Sequence, residues 1–357
     1  MLTLVLTNRN RDLRIVKNCL ESLSAQTNNE FELFFVDYGS DSKYLIQLAE
    51  LIVKFPKVQF ISCPVYGQLW NKSRAINIAL KKATTAYFLV GDVDLIFDPK
   101  FICITYQLMN KNEIHYFQYG FLSQQESIEN KKYEEYQIDF KGSKEVTGTT
   151  LFPTEVLKKV NGYDEFYHGW GAEDTDIHFR LENFGCEIKF YNAAILVKHQ
   201  WHPKQYRTTI SKYPFHTSLE AVNHAYMYLG KETKRIVVNE NQLWGEIPDS
   251  VKYKLLESNS QELQLILTNS LHNITAILAQ FSNFKQETLN VCINEVNFTS
   301  RIKNSVKKFF RNKTVTYISL EQINSMILEE IIKNYRNNPY KYKYDRDLKR
   351  IQFRMVF

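Results

Sequence analysis

The stretch NGYDEFYHGWGAEDTDIHFRL, Asn161 to Leu181, decides how this chain is read. Its first half is a loop of Gly, Asn, Asp and aromatic residues. Its second half carries Ile177 and Leu181 at helical spacing, with Phe184 after them and Gly185 as the stop. Glu173, Asp174 and Asp176 crowd the first turn of that helix, where acids are ordinary partners of the helix dipole. Gly169-Trp170-Gly171 sets a large flat ring between two flexible residues, just before a carboxylate pair. A solvent-facing Trp beside carboxylates suits a site that stacks on a sugar ring and takes a proton from its hydroxyl.

Upstream of this stretch, strands and helices alternate. Leu2 to Leu6 reads as a buried strand, followed by Thr7-Asn8-Arg9-Asn10-Arg11. A helix then runs to about Ala25, with Leu13, Val16, Leu20 and Leu23 on one face. Phe31 to Val36 is a second strand, ending in Asp37-Tyr38-Gly39-Ser40-Asp41, a turn that caps the next helix. Val58 to Ser62 and Ala86 to Val90 are strands, with a helix from about Asn71 to Ala83 between them. Gly91-Asp92-Val93-Asp94 stands at the carboxyl end of the last. The alternation predicts an α/β fold: a mostly parallel sheet with helices on both faces. Ligands of such sheets bind beyond the carboxyl ends of the strands. Arg9, Arg11, Asp37, Asp92 and Asp94 all fall there.

Further along, His115 to Leu122 reads as one strand and Gln124 to Gly142 as a polar, acidic surface loop or lid. Glu145 to Phe152 returns to the sheet. Glu187 to Tyr191 and Ala194 to Lys198 are short strands leading into His199-Gln200-Trp201-His202-Pro203.

Asp92 and Asp94, two residues apart at a strand end, are expected to point to the same side. Their oxygens suit Mg²⁺ or Mn²⁺ held with a substrate diphosphate; the plain alternative is a turn with solvated acids. Arg9 and Arg11 match phosphate oxygens as two-pronged donors. Asp37 either accepts hydrogen bonds from a nucleobase or caps a helix, and Arg74 either reaches a nucleotide or is a surface charge. His199 is a metal ligand or a structural imidazole.

From about Leu2 to Pro203 the chain resembles the GT-A glycosyltransferases. Within them it is most similar to the β-1,4-galactosyltransferase superfamily and its bacterial family-2 relatives. Arg9-Asn10-Arg11 is similar to that family's R-N-R after the first strand, and Asp92-Val93-Asp94-Leu95-Ile96 to its D-V-D-L-I run. Asn161-Gly162-Tyr163 with Gly169-Trp170-Gly171-Ala172-Glu173-Asp174 resembles its N-G-[FY] and W-G-W-G-G-E-D-D-D signature. Asp37-Tyr38-Gly39-Ser40-Asp41 resembles the D-D-G-S-x-D of family-2 enzymes. The resemblance implies that Asp94 and His199 bind Mn²⁺ (or Mg²⁺), that Asp92 serves the ribose or the metal, and that Thr7, Arg9, Arg11, Asp37 and Arg74 lie at the UDP. It puts Trp170 and Glu173 at the acceptor and makes Asp174 the base. Thr7 stands where a proline is usual, Ala172 replaces a glycine, and Thr175 replaces the middle of three acids.

The activity so implied is inverting and metal-dependent. A hexose or N-acetylhexosamine, with galactose or N-acetylgalactosamine favoured, moves from a UDP-sugar to a hydroxyl of a glycan or lipid-linked glycan. The expected setting is assembly of a surface polysaccharide or glycolipid. A sugar-nucleotide pyrophosphorylase would want a glycine-rich phosphate loop after the first strand, and Thr7 to Arg11 contains no glycine. A non-catalytic glycan-binding or scaffold protein would want a broken metal or base position, and none is broken.

With 357 residues the chain has room for two domains. The reading assigns 1–240 to the glycosyltransferase domain, with a core at 2–203 and a helical extension at 204–240. It assigns 241–357 to a small basic α/β module of βαβαβα order. In that module Gln261 to Thr268, Leu289 to Asn294 and Thr314 to Ser319 are strand-like. Ser270 to Phe281, Ile302 to Phe310 and Glu321 to Tyr335 are helix-like. From Arg301 to Phe357 there are fourteen Lys and Arg against five Asp and Glu, which suits an anionic membrane surface or a polyanionic glycan. No nucleic-acid partner is expected. Five cysteines, an odd number without metal-type spacing, read as reduced. With a strand starting at Leu2, and no apolar run of the roughly 20 residues that span a bilayer, a cytoplasmic, peripheral location is the expectation.

Overall fold

The computed structural model describes residues 1–203, 214–257, 262–285, 288–297, 299, 302 and 314–357. The chain divides into two compact units. One comprises Met1–Cys63, Trp70–Lys204 and Leu219–Ile247; the other comprises Pro64–Leu69, Gln205–Ser218 and Pro248–Phe357. The single break expected after residue 240 is therefore replaced by several crossings, the last at 247/248.

The larger unit is built on a seven-stranded sheet. Its strands are β1 (Leu2–Asn8), β2 (Phe31–Tyr38), β3 (Val58–Cys63), β4 (Tyr87–Asp92), β6 (Glu113–Phe117), β9 (Thr150–Pro153) and β10 (Glu187–Tyr191). They lie in the order β10-β6-β9-β4-β1-β2-β3. All seven residues of β1 are buried, as a central strand covered on both faces requires. It pairs in parallel with β2 and β4, while β9 runs antiparallel between β4 and β6. The mixed but mostly parallel sheet is the fold class expected.

Helices α1 (Leu13–Ser24), α2 (Ser42–Ile52) and α3 (Lys72–Lys82) follow the first three strands. Each is capped by the side chain before it: Asp12, Asp41 and Asn71 accept from the backbone N–H of Arg14, Tyr44 and Arg74. Val16, Cys19, Leu20 and Leu23 of α1 join Leu2, Leu4 and Leu6 of β1 in the main apolar core.

The expected strand from His115 to Leu122 is two strands. It breaks at Gln118, and β7 (Tyr119–Leu122) belongs to a second sheet with β5 (Leu95–Phe97), β8 (Ile138–Lys141) and β11 (Val197–His199). The expected loop or lid from Gln124 to Gly142 is also ordered differently. It holds the short helix α5 (Gln124–Ile128) and the edge strand β8. Tyr133 and Tyr136 are buried against Ile96 and Leu122, and the buried Lys198 donates to the carbonyls of Tyr133 and Tyr136. Two buried tyrosines anchor a stretch whose composition reads as solvent-exposed. Helices α4 (Phe101–Gln107), α6 (Thr154–Lys159), α7 (Glu173–Asn183) and α8 (Leu219–Glu232) complete the unit. No helix among the described residues is long and apolar enough to cross a membrane.

The smaller unit has α9 (Ser250–Lys254), β12 (Glu262–Thr268), α10 (Leu271–Gln280), β13 (Thr288–Asn294), α11 (Leu320–Glu330), β14 (Tyr340–Asp345) and β15 (Arg350–Val356). Its sheet order is β12-β13-β15-β14, with only β12 and β13 parallel. This corrects the βαβαβα expectation. Thr314 to Ser319 forms an isolated bridge, Ser270 to Tyr317, rather than a strand. The chain instead ends in a hairpin whose Tyr340, Tyr342, Ile351, Phe353 and Met355 are buried. The expected helix from Ile302 to Phe310 lies outside the described residues, apart from its first residue.

Beneath the loop that precedes α7 lies a buried ionic network. Arg180 Nε donates to Asp176 Oδ2 at 2.7 Å, and its other nitrogens reach the carbonyls of Val160, Gly162 and Ile236. Tyr167 and Arg235 each donate to Asp176 Oδ1 at 2.9 Å. Removing one member of a buried pair strands the rest without solvent. Arg180→Met is therefore expected to lower stability by about 3 kcal/mol or more, read from the urea midpoint. An unchanged midpoint would show that the network does not brace the loop.

Candidate functional site

Two turns at the carboxyl end of the sheet are tied together. Asn10, in a left-handed conformation (φ 48°), donates its N–H to Ser40 Oγ at 2.8 Å and accepts from the N–H of Asp41 at 3.1 Å. Asp37 lies between the turns, fully buried. It accepts from Asn8 Nδ2 at 2.7 Å, Ser40 Oγ at 2.5 Å and the Ser40 N–H at 3.1 Å. Burial raises its pKa; the Ser40 and Asn8 hydrogen bonds and the nearby Arg9 charge oppose that rise. Asp41, not Asp37, caps α2. Thr7, buried on β1, stands opposite Asp92 in the pairing with β4. Arg74 is buried on α3 rather than a surface charge, and its guanidinium donates to the Glu246 carbonyl at 3.2 Å.

Asp92 and Asp94 face different partners. Asp92 ends β4, whereas Asp94 lies in the turn to β5, so strand alternation no longer aligns them. Asp94 is buried, with Arg11 Nη2 at 3.1 Å, His202 Nε2 at 3.2 Å and His199 Nε2 at 3.6 Å. Burial pushes its carboxyl up, but His199, Arg11 and His202 outweigh that and hold it far below the usual range. Burial in turn lowers the pKa of His199, which keeps the imidazole a lone-pair donor. Donor atoms of Asp94, His199 and His202 lie within 4.8 Å of one another. One carboxylate and two imidazoles fit Mn²⁺ better than Mg²⁺, which prefers an all-oxygen shell. His202 completes the set begun by the two expected ligands, and Asp92 stands outside it.

Asp92 is engaged elsewhere. Lys72 Nζ, at the first residue of α3, lies 2.9 Å from Asp92 Oδ1 and 2.9 Å from Asp174 Oδ2. Tyr119 donates to Asp92 Oδ2 at 3.1 Å and pairs with Thr149 Oγ1 at 2.6 Å. Gly148 closes the floor: a Cβ there would stand 2.6 Å from Asp92 Oδ2 and 2.9 Å from the Tyr119 hydroxyl. Burial opposes the charge on Lys72, yet Asp174 and Asp92 hold its pKa well above the lysine norm. Burial pushes the Asp174 carboxyl up to about 7; Lys72 pulls it down, while Glu173 and Asp92 add to the rise. Asp174 Oδ1 is buried with no hydrogen-bond partner among the described residues.

The loop carrying Trp170 is fixed from beneath. Asn71, the cap of α3, and Asn77 within it donate to the carbonyls of Glu165 and Tyr163, and the Gly169 N–H donates to the Trp70 carbonyl at 2.7 Å. Trp170 itself is 43% exposed, as a stacking surface needs. Ala172, the residue before α7, has φ 77°, a conformation that favours glycine. The departure from the family glycine therefore falls where the backbone is least suited to a side chain. Glu173 is half-buried beside Asp174. Asp176, locked in the Arg180 network, has no oxygen left for chemistry.

Sequence reasoning missed Lys72, Tyr119, Gly148 and the full part of His202. Only Lys72 carried a local signal: a cation in a helix's first turn opposes the dipole and calls for a nearby acid.

A family model described as glycosyl transferase family 2 matches residues 3–158. Another, described as the N-terminal domain of galactosyltransferase, matches residues 130–203. Beta-1,4-galactosyltransferase 4 of Homo sapiens is 26% identical over 157 residues, 41% of this chain and 41% of that protein. The Cricetulus griseus protein of the same name is 24% identical over 170 residues, 45% of each. The chain thus spans less than half the length of these curated relatives. Among solved structures, S. aureus TarS 1–349 in complex with UDP-GlcNAc is 16% identical, with a TM-score of 0.47 over 65% of this chain and 69% of that one. Mannosyltransferase PcManGT from Pyrobaculum calidifontis, in complex with GDP-Man and Mn²⁺, is 11% identical, with a TM-score of 0.43 over 94% of this chain and 86% of that one. The mixed α/β fold and the two family matches make the larger unit similar to glycosyltransferase domains. Over residues 3–158 the chain is similar to glycosyl transferase family 2, and over 130–203 to the galactosyltransferase domain.

The Asp94 cluster makes a direct prediction. Asp94→Ala is expected to abolish Mn²⁺-dependent UDP binding in calorimetry, because it removes the one charged oxygen of the set. His199→Ala or His202→Ala is expected to weaken it less, since water replaces a single imidazole. Unchanged metal-dependent affinity in Asp94→Ala would contradict the assignment.

Proposed function

We propose that this domain transfers a hexose or N-acetylhexosamine, galactose or N-acetylgalactosamine foremost, from a UDP-sugar to a glycan hydroxyl with inversion. The observation that carries the reading is the Asp174 carboxylate. Lys72 holds one of its oxygens, and the other is buried with no hydrogen-bond partner among the described residues, four residues from the exposed Trp170. That is the state of a base awaiting a proton donor. The acceptor hydroxyl oxygen bonds to the anomeric carbon as the bond from that carbon to the UDP oxygen breaks. The hydroxyl proton passes to Asp174 Oδ1, and the electron pair leaves with UDP. Trp170 offers its ring to the acceptor sugar, and Arg9 and Arg11 stand at the strand ends where the diphosphate would lie. When bound at Asp94, His199 and His202, Mn²⁺ supplies positive charge against the departing diphosphate.

Assembly of a surface polysaccharide or glycolipid at the cytoplasmic face of a membrane is part of the proposal. It is supported by the basic balance of residues 301–357, fourteen cations against five acids. Co-sedimentation with anionic liposomes that falls as salt rises would support the membrane contact; equal binding to neutral liposomes would count against it.

A base must be ionised to work, so activity is expected to fall as pH drops through the Asp174 value of about 7. Asp174→Asn should reduce kcat by about 10² to 10⁴ and leave UDP affinity nearly unchanged. Lys72→Met should move the acid limb of the kcat profile to higher pH, because Lys72 pulls the carboxyl down. Full activity in Asp174→Asn would place the base elsewhere. Trp170→Ala should act mainly by raising the acceptor KM, for the loss of a stacking face worth about 1 kcal/mol.

A further inference from the structure

The sheet of the smaller unit has two unlike faces. Leu289, Val291 and Ile293 alternate along β13 on the buried side, and Ile351, Phe353 and Met355 do the same along β15. Tyr340 pairs with Met355 and Tyr342 with Phe353, so the aromatic rings of β14 turn to that side as well. Helix α11 covers it, and the Tyr342 hydroxyl donates to Asn324 Oδ1 there at 3.0 Å. The intervening residues point the other way and are half-buried or exposed. Pairing sets Gln264, Asn290, Arg354 and Lys341 in one row across the four strands. In the next row Gln352 stands beside Lys343, and in the third Asn294 stands beside Arg350. The three rows run over about 13 Å along the strands.

We propose that this outer face of the sheet docks an acidic glycan chain, one that carries carboxylate or phosphate groups among its hydroxyls. Docking there does not depend on the transferase reading of the larger unit. The charge sets the sign of the partner. Lys341, Lys343, Arg350 and Arg354 are the cations of the face, and Asp345 is the acid among the described side chains of its strands. Asp345 pairs with Lys343 at 3.3 Å, and Glu257 reaches Lys341 from outside the sheet, which leaves a positive balance. Arginine forks match carboxylate and phosphate oxygens in pairs. The amides set the class. Gln264, Asn290, Asn294 and Gln352 lie between the cations, and each both donates and accepts, as a row of sugar hydroxyls requires. A lipid surface is met by cations with exposed aromatic or leucine anchors. Here the rings are on the buried side, and Ile266, 80% exposed, is the one strongly exposed apolar residue of the face among the described residues. A single-stranded nucleic acid would want those rings outward for its bases.

The test uses the full chain and five probes: an oligogalacturonate, a neutral dextran oligosaccharide of similar length, poly-glutamate, poly-uridylate and phosphatidylglycerol vesicles. The wild type is expected to bind the oligogalacturonate about tenfold more tightly than the dextran or poly-glutamate, with affinity that falls as salt rises. Lys343→Glu combined with Arg350→Glu should lower that affinity about tenfold or more, because acids then face acids. Gln352→Glu, a single change at an exposed position, should lower it several-fold. Lys54→Glu, the same change of charge at an exposed residue of α2, should leave it within about twofold, as a charge beyond the screening length does. Thermal unfolding followed by circular dichroism should be unchanged in every variant; if the double variant does not fold, Gln352→Glu decides. Face variants that bind the oligogalacturonate as the wild type does would overturn the proposal. So would tighter binding to poly-glutamate, poly-uridylate or the vesicles, an equal loss in Lys54→Glu, or no binding of the oligogalacturonate at all.

Discussion

One ammonium group joins the two halves of this site. Lys72 Nζ touches the acid that ends β4 and the acid that begins α7, each at 2.9 Å. Without it, the Asp92 charge would act on Asp174 unopposed by a cation and raise that carboxyl further. With it, Asp174 has one oxygen held, while the other is buried with no hydrogen-bond partner among the described residues. The lysine is itself held by the fold. Asn71 caps α3 and also donates to the Glu165 carbonyl, so the helix start and the loop are set by one side chain. Gly148 leaves room for the arrangement, since any Cβ would press on Asp92.

The larger unit divides the candidate site between two regions. The sheet end supplies Asp37, Asp92 and Asp94, and the loop before α7 supplies Trp170, Glu173 and Asp174. The loop needs unusual backbone: Asn161, Gly162, Gly169, Gly171 and Ala172 all have positive φ. Such a path persists only when its surroundings determine it. Here they do, through the Arg180–Asp176–Arg235 network below and the asparagines of α3 and α8 at the sides.

Much of the fold was legible because burial writes itself into sequence. The apolar run from Leu2 to Leu6 read as a buried strand and is one, and the turn ending at Asp41 and the helix start near Asn71 carry the capping chemistry expected of them. The failures have physical causes. Gln118 lets one extended run serve two sheets, which periodicity does not reveal. Segment 124–142 is polar on average but anchored by two tyrosines and a buried lysine. The final hairpin alternates, Tyr340 and Tyr342 inward and Lys341 and Lys343 outward, and its lysines disguise a period of two.

The site was legible as placement: Asp94 and His199 do share a cluster, and Trp170 stands exposed just before Asp174 at the start of α7. It was not legible where function depends on partners distant in sequence. Lys72 and Asp174 are 102 residues apart, and nothing local pairs them. The proposed direct displacement at the anomeric carbon inverts its configuration, and the stereochemistry of donor turnover tests that without knowledge of the acceptor. Proton NMR of a freshly hydrolysed UDP-α-sugar should show the β-anomer first, before mutarotation. Initial release of the α-anomer would mean retention and would contradict a single displacement driven by Asp174.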